Sequence, residues 1–120
     1  MRSNTNTPLA ALSDIKQNIE LALGFVRGFS LPDFQSDRKT VYAVTRCLEI
    51  ISEASRRLPV EIKERHQHIP WSDIAGAGSV YRHGYQLVRD DLLWRTVQET
   101  LQPLLAAVEQ ELARLNRAPN

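Results

Sequence analysis

One short polar stretch of this sequence, residues 79–85 (Ser-Val-Tyr-Arg-His-Gly-Tyr), concentrates side chains that can move a proton or bind phosphate. A histidine such as His83 has an unperturbed pKa of about 6.5, so it can take and return a proton near neutral pH. Arg82 can hold a phosphate through two parallel hydrogen bonds, and Tyr85 places a hydroxyl two residues after the histidine. RNA cleavage by attack of the ribose 2′-hydroxyl needs a base, an acid and positive charge beside the phosphate. These residues can supply all three without a metal. The alternative is that they form only local caps and a hydrogen bond between helices.

Other groups with metal or phosphate chemistry are sparse. Cys47, His66 and His68 do not have the spacing of a metal site, and no glycine-rich phosphate loop with a lysine is present. We therefore predict neither a metal nor a cofactor. We expect His66 and His68 to be solvated at a helix end, and Cys47 to be a small buried apolar residue.

Length and charge restrict the class of protein. The 120 residues suit one domain, residues 1–120, and we expect segments 1–6 and 117–120 to be disordered. Fifteen basic and fourteen acidic residues give a net charge of +1, so RNA would have to bind a local cluster of arginines. The sequence has no apolar run long enough for a signal peptide or a membrane span, which predicts a cytoplasmic protein without a membrane partner.

Apolar residues recur at three- and four-residue steps along most of the chain, and no segment alternates as a strand would. The pattern predicts an all-α fold, a four-helix bundle with an additional short helix. We expect a chain break at Ser30-Leu31-Pro32 and an interruption near Thr100, because Pro103 lies inside the last helical pattern. The predicted helices run from Thr7 to about Gly28, from Ser36 or Asp37 to about Leu58, from Val60 to about His66, from Pro70 towards the polar stretch, and from Asp90 to the C-terminal region.

Two features of these helices allow more than one interpretation. The second helix is apolar over much of its surface, because Tyr42, Cys47, Ile50 and Ala54 widen its stripe, so it is either central in one bundle or shared with a second subunit. The small residues at 75–79 include two glycines, which weaken a helix. They indicate close approach of another helix or a ligand, or else a simple loop.

Several separate blocks of this sequence occur together in one family. They are Asp37-Arg38-Lys39-Thr40, Leu48-Glu49-Ile50-Ile51-Ser52-Glu53-Ala54, Ile69-Pro70-Trp71-Ser72-Asp73-Ile74-Ala75-Gly76, His83-Gly84-Tyr85 and Leu93-Trp94-Arg95-Thr96-Val97-Gln98. In these blocks and their order the chain resembles the HepT branch of the HEPN superfamily, from the first helix to about Leu112.

The resemblance implies a HEPN-type helical domain with ribonuclease toxin activity that needs no metal. It implies a homodimer in which two motif helices form one composite cleft, with His83 and Tyr85 at the motif histidine and tyrosine. It also implies a partner, a minimal nucleotidyltransferase (MNT-type) antitoxin that transfers AMP onto the motif tyrosine, here Tyr85. Together with the chemistry above, we predict His83, Arg82 and Tyr85 as catalytic and Arg82, Ser79 and Arg46 as RNA- or phosphate-binding.

The chain departs from the family motif at its arginine. Five residues before His83, where the family has arginine, this sequence has Gly78, followed by Ser79 at the motif's polar position. One interpretation is that Arg82 reaches the same phosphate from a different backbone position. The other is a catalytically weak or inactive module that binds a nucleotidyltransferase or a nucleotide. Arg46, Arg56 and Arg57 of the second helix are further candidates for the missing charge.

Overall fold

The computed structural model describes residues 7–83 and 89–117 of the chain, without the side chains of Thr7, Arg82 and His83. All regular structure in these ranges is helical, so the all-α prediction is confirmed. The helices are α1 (Thr7–Phe25), α2 (Leu31–Ser36), α3 (Arg38–Arg56), α4 (Val60–Arg65), α5 (Trp71–His83), α6 (Asp90–Arg95), a π-helical turn (Thr96–Thr100) and α7 (Leu101–Arg117). No helix among the described residues is long and apolar enough to cross a membrane.

Helix α3 is the centre of the bundle. It packs against α1 on one side and α5 on the other, while α7 packs against α1. Cys47 and Ala54 are buried, which accounts for part of the wide apolar surface of α3, and burial raises the pKa of the Cys47 thiol. Tyr42, however, is 68% exposed within this protomer. The central-helix interpretation therefore explains Cys47 and Ala54 but not Tyr42.

The predicted chain break at residues 30–32 is instead the start of a helix. Ser30 caps α2 reciprocally with Asp33, since the Ser30 amide donates to Asp33 Oδ2 at 2.9 Å and the Asp33 amide donates to Ser30 Oγ at 3.3 Å. Pro32 fits the first turn, where its missing N–H costs nothing. Helix α2 buries Phe34, whose ring centroid lies 5.5 Å from that of Trp94. The prediction of one short helix therefore underestimated their number.

The start of α3 and the irregular turn before α7 are both explained by residues close to them in sequence. Asp37 caps α3 by accepting the Thr40 amide at 3.3 Å, as one of the two predicted capping residues. The chain between α6 and α7 widens into the π-helical turn just before Pro103, which lacks an N–H and crowds the carbonyl four residues earlier. The predicted interruption near Thr100 is thereby confirmed, and the turn buries Val97 against the core.

Candidate active site

Helix α5 carries most of the residues predicted for the site. Ser79 lies on its last two turns and is exposed, and the backbone of Arg82 and His83 completes the helix. Tyr85 lies outside the described residues, as do the side chains of Arg82 and His83. Convergence of these three groups therefore stays a prediction. The alternative of a loop at residues 75–79 is wrong, because both glycines are inside α5.

The start of α5 is anchored by its first residues. The Ile74 amide donates to the Pro70 carbonyl at 3.0 Å, so the helix begins directly after the proline. The Trp71 indole donates to the His66 carbonyl at 3.0 Å, and the Trp71 ring packs on the core. These contacts tie the motif helix to the end of α4.

A buried serine joins the middle of α5 to α3. Ser52 Oγ donates to the Ala75 carbonyl at 3.0 Å and accepts the Gly78 amide at 2.9 Å. Gly78 is buried and has no side chain, which is compatible with this close approach. Of the two close approaches considered, that of another helix is therefore seen at Gly78, where α3 meets α5. Around Gly76, by contrast, no atom of another helix lies within 4 Å of where a Cβ would be.

Sequence reasoning did not single out Ser52. The signal was available, because Ser52 follows directly after Ile51 in the apolar stripe of α3, and a buried hydroxyl needs hydrogen-bond partners.

The three arginines considered for the missing charge, two in α3 and one directly after it, differ in what they contact. Arg46 pairs with Glu49 at 3.0 Å, and Arg57 pairs with Asp14 of α1 at 2.8 Å. Arg56 instead donates from Nε to the Ala75 carbonyl of α5 at 3.1 Å. No carboxylate among the described residues pairs with Arg56. Of the three candidates for extra positive charge, Arg56 is the one that contacts the motif helix, and its charge is not offset there.

The two tyrosines of the polar stretch cannot be treated alike. Tyr81 is half-buried and packs on the core, and its hydroxyl hydrogen-bonds Thr96 of the π-helical turn. Burial raises the pKa of Tyr81, and the bond to Thr96 lowers it by less. Tyr81 therefore fixes α5 against the core, and Tyr85 stays the predicted acceptor.

The prediction that His66 is solvated is wrong. Its side chain is buried, and its Nε2 lies 2.7 Å from Glu111 Oε2 of α7. Arg65 binds the same carboxylate with two hydrogen bonds, of 2.6 and 3.0 Å. The hydrogen bonds from Arg65, and then that from His66, lower the pKa of Glu111. Among the described residues, no cluster of three or more histidine, cysteine or acidic side chains could hold a metal ion.

Comparison of the sequence with known proteins finds a matching family and several relatives. A family model described as ribonuclease HepT-like matches residues 15–111. A probable ribonuclease HepT of Thermococcus cleftensis is 40% identical over 99 residues, which are 82% of this chain and 90% of that protein. A candidate RNase of Caldanaerobacter subterraneus subsp. tengcongensis is 35% identical over 108 residues, covering 90% and 96% of the two chains. One of Methanocaldococcus jannaschii, MJ1216, is 33% identical over 89 residues, 74% of each chain. No solved structure matches significantly.

Proposed function

Because the chain belongs to the HepT-like ribonuclease family, we propose that it is an endoribonuclease, the toxin component of a HEPN/MNT-type toxin–antitoxin pair. The observation that carries the proposal is the match over residues 15–111, which contains all of α5 and the predicted residues Arg82, His83 and Tyr85. The cytoplasm is the proposed location.

The proposed reaction needs no metal. His83 takes the proton of a ribose 2′-hydroxyl, the 2′-oxygen attacks the adjacent phosphorus, and the bond from phosphorus to the 5′-oxygen breaks. His83 of a second copy returns a proton to that leaving oxygen, so the products carry a 2′,3′-cyclic phosphate and a 5′-hydroxyl. A homodimer with two motif helices at one cleft would supply both histidines.

Because Gly78 stands at the position of the motif arginine, the positive charge beside the phosphate has to come from other residues. We assign it to Arg82 and to Arg56, which is exposed and held on the α5 backbone at Ala75. Arginine suits the role because its planar guanidinium keeps further donors when Nε is engaged. Ser79 is exposed on the same helix and can donate to a phosphate oxygen.

Control of the toxin would act on Tyr85. Transfer of AMP from an MNT-type nucleotidyltransferase onto its hydroxyl would add bulk and negative charge beside the phosphate site. RNA would then be repelled from the cleft.

The decisive experiment is cleavage of a labelled single-stranded RNA by purified protein in the presence of a chelator. The wild type should cut, and His83→Ala and Arg82→Ala should each lower the rate by at least about 100-fold. The products should carry 2′,3′-cyclic phosphate ends. His68→Ala is the matched control, because His68 is exposed in the turn between α4 and α5.

One observation favours a second function. Gly78 occupies the motif position at which the family has arginine, and loss of a catalytic cation lowers rates by orders of magnitude. Under this alternative the protein dimerises and binds its nucleotidyltransferase or a nucleotide without cutting RNA. Intact RNA after prolonged incubation with a dimeric, correctly folded wild type would establish the alternative.

A further inference from the structure

A cleft between α3 and the start of α6 is separate from the residues assigned above, apart from Arg46. It encloses about 220 Å³. We call it the Tyr42 cleft, and its lining includes Arg38, Tyr42, Arg46, Glu49, Asp90 and Leu93. Tyr42 is 68% exposed, although it lies on the central helix of the bundle.

The cleft lies level with the end of the motif helix. The bonds from Ser52 to Gly78 and from Arg56 to Ala75 make α3 and α5 antiparallel. From Ser52, Arg46 is six residues back along α3, or ~9 Å towards the C-terminal end of α5 at 1.5 Å per residue. That end carries His83, and Asp90 on the opposite wall of the cleft follows His83 by seven residues. Along the axis of α3, Arg46 is therefore displaced from Ser52 towards the end of α5 that carries the motif.

The charges of the cleft cancel in pairs. Arg38 bonds Asp90 at 2.8 Å, and Arg46 bonds Glu49 at 3.0 Å. The carboxylates are the deeper members, with side chains 22% and 18% exposed against 59% and 67% for the arginines. A cleft without net charge does not select a phosphate. It suits a flat, neutral ligand that has both hydrogen-bond donors and acceptors, with Tyr42 as its stacking surface.

We propose that the Tyr42 cleft binds a guanine base of single-stranded RNA next to the cleaved phosphate. This inference rests on the proposed function. Guanine offers two adjacent donors, N1–H and the N2 amino group, for the carboxylate of Glu49. It also offers O6 and N7 as an acceptor pair for an arginine. Uracil has a single ring donor, and adenine lacks the N1–H donor, so both fit less well.

The test measures binding of fluorescein-labelled RNA octamers that differ only in one central base, G, A, C or U. The protein is the full chain with His83→Ala, so that the RNA is not cut. On this background we expect Tyr42→Ala to weaken binding of the G octamer about tenfold, and Tyr42→Phe to retain it. Glu49→Gln should abolish the preference for G over A. Val60→Ala is the matched control, since Val60 is similarly exposed on α4, away from the cleft.

The possible outcomes distinguish failure of the guanine site from failure of the proposed ribonuclease function. If His83→Ala protein binds the octamers and Tyr42→Ala behaves as Val60→Ala does, the guanine site is disproved while the proposed function stands. If Tyr42→Ala weakens all four octamers equally and sedimentation shows that a dimer has become a monomer, the face is an interface between copies and the inference is again wrong. If the His83→Ala protein binds no octamer and the wild type cuts none, both the guanine site and the proposed function are disproved. Thermal unfolding of each variant checks that the fold is intact.

Discussion

A single contact distinguishes Arg56 from the neighbouring arginines as a candidate for binding RNA. From the sequence alone, Arg46, Arg56 and Arg57 are equally good candidates to supply positive charge near the motif. In the structure Arg57 pairs with Asp14 and Arg46 with Glu49, so two of the three charges are offset. Arg56 donates to a backbone carbonyl of α5, a neutral partner, and keeps its full charge beside the motif helix. We therefore expect Arg56 rather than its neighbours to sense the RNA backbone.

The prediction compares Arg56→Ala with Arg57→Ala, both in the His83→Ala background. Arg56→Ala should weaken binding of every octamer to a similar degree, because a phosphate contact carries no base information. It should also reduce the slope of log affinity against log salt by about 1. Arg57→Ala should leave the slope unchanged. Equal salt slopes for the two variants would show that Arg56 does not contact the phosphates.

At the scale of elements, the contact between α3 and α5 determines where the motif helix lies. Ser52 is buried, bonds both Ala75 and Gly78, and has its own carbonyl bonded by the Ser55 hydroxyl at 2.7 Å. The Trp71 indole holds the start of α5, and Tyr81 holds its later part through Thr96. The motif helix is thus fixed at three points along its length.

We expect Ser52→Ala to lower the free energy of unfolding by about 2 kcal/mol, because the buried Gly78 amide loses its side-chain partner. Chemical denaturation measures the change. Ser36→Ala on α2 is the control, since its exposed hydroxyl bonds only the Asp33 carbonyl and should matter by less than about 0.5 kcal/mol. Equal effects of the two substitutions would mean that the Ser52 bonds do not stabilise the contact between α3 and α5.

At the scale of the whole molecule, one ionic cluster around the buried Glu111 joins the end of α4 to α7. Glu111 of α7 bonds Arg65 at the end of α4 and His66 directly after it. The pKa of Glu111 is lowered, so the native state favours its ionised form. Its contribution to stability is therefore complete above the unfolded carboxyl pKa of about 4.3, and it is lost as the pH falls through the lower native value.

Glu111→Gln should reduce the free energy of unfolding at pH 7 by about 2 kcal/mol, since it leaves the buried His66 and the partly exposed Arg65 without their negative partner. The difference from wild type should shrink as the pH is lowered from 5 to 3. Urea denaturation at several pH values measures this difference in the free energy of unfolding. Glu109→Gln on the same helix breaks only the exposed pair with Lys16 and should cost less than about 1 kcal/mol. A pH-independent difference for Glu111→Gln would disprove the role assigned to its ionisation.

Much of the fold could be predicted from neighbouring residues alone. The periodicity of three and four residues located the long helices, Asp37 was a predicted cap of α3, and Pro103 indicated the interruption near Thr100. Each of these depends on interactions within one or two helical turns, which a sequence displays directly. The family, too, could be identified from blocks of sequence in order. The capping box at Ser30 is equally local, but Pro32 beside it is also typical of a chain break, and a break is what we predict there from the sequence.

The positions of partners distant in sequence were decided only by the tertiary structure. The burial of His66 against Glu111, the contact of Ser52 with Gly78, the choice of Arg56 among three arginines and the exposure of Tyr42 all depend on how separate helices pack. Residues 19 to 45 positions apart meet in these contacts. Amphipathic periodicity states which face of a helix is buried, but not which neighbour covers it. For that reason the sequence identified the motif residues, and the fold determined which other groups lie beside the motif helix.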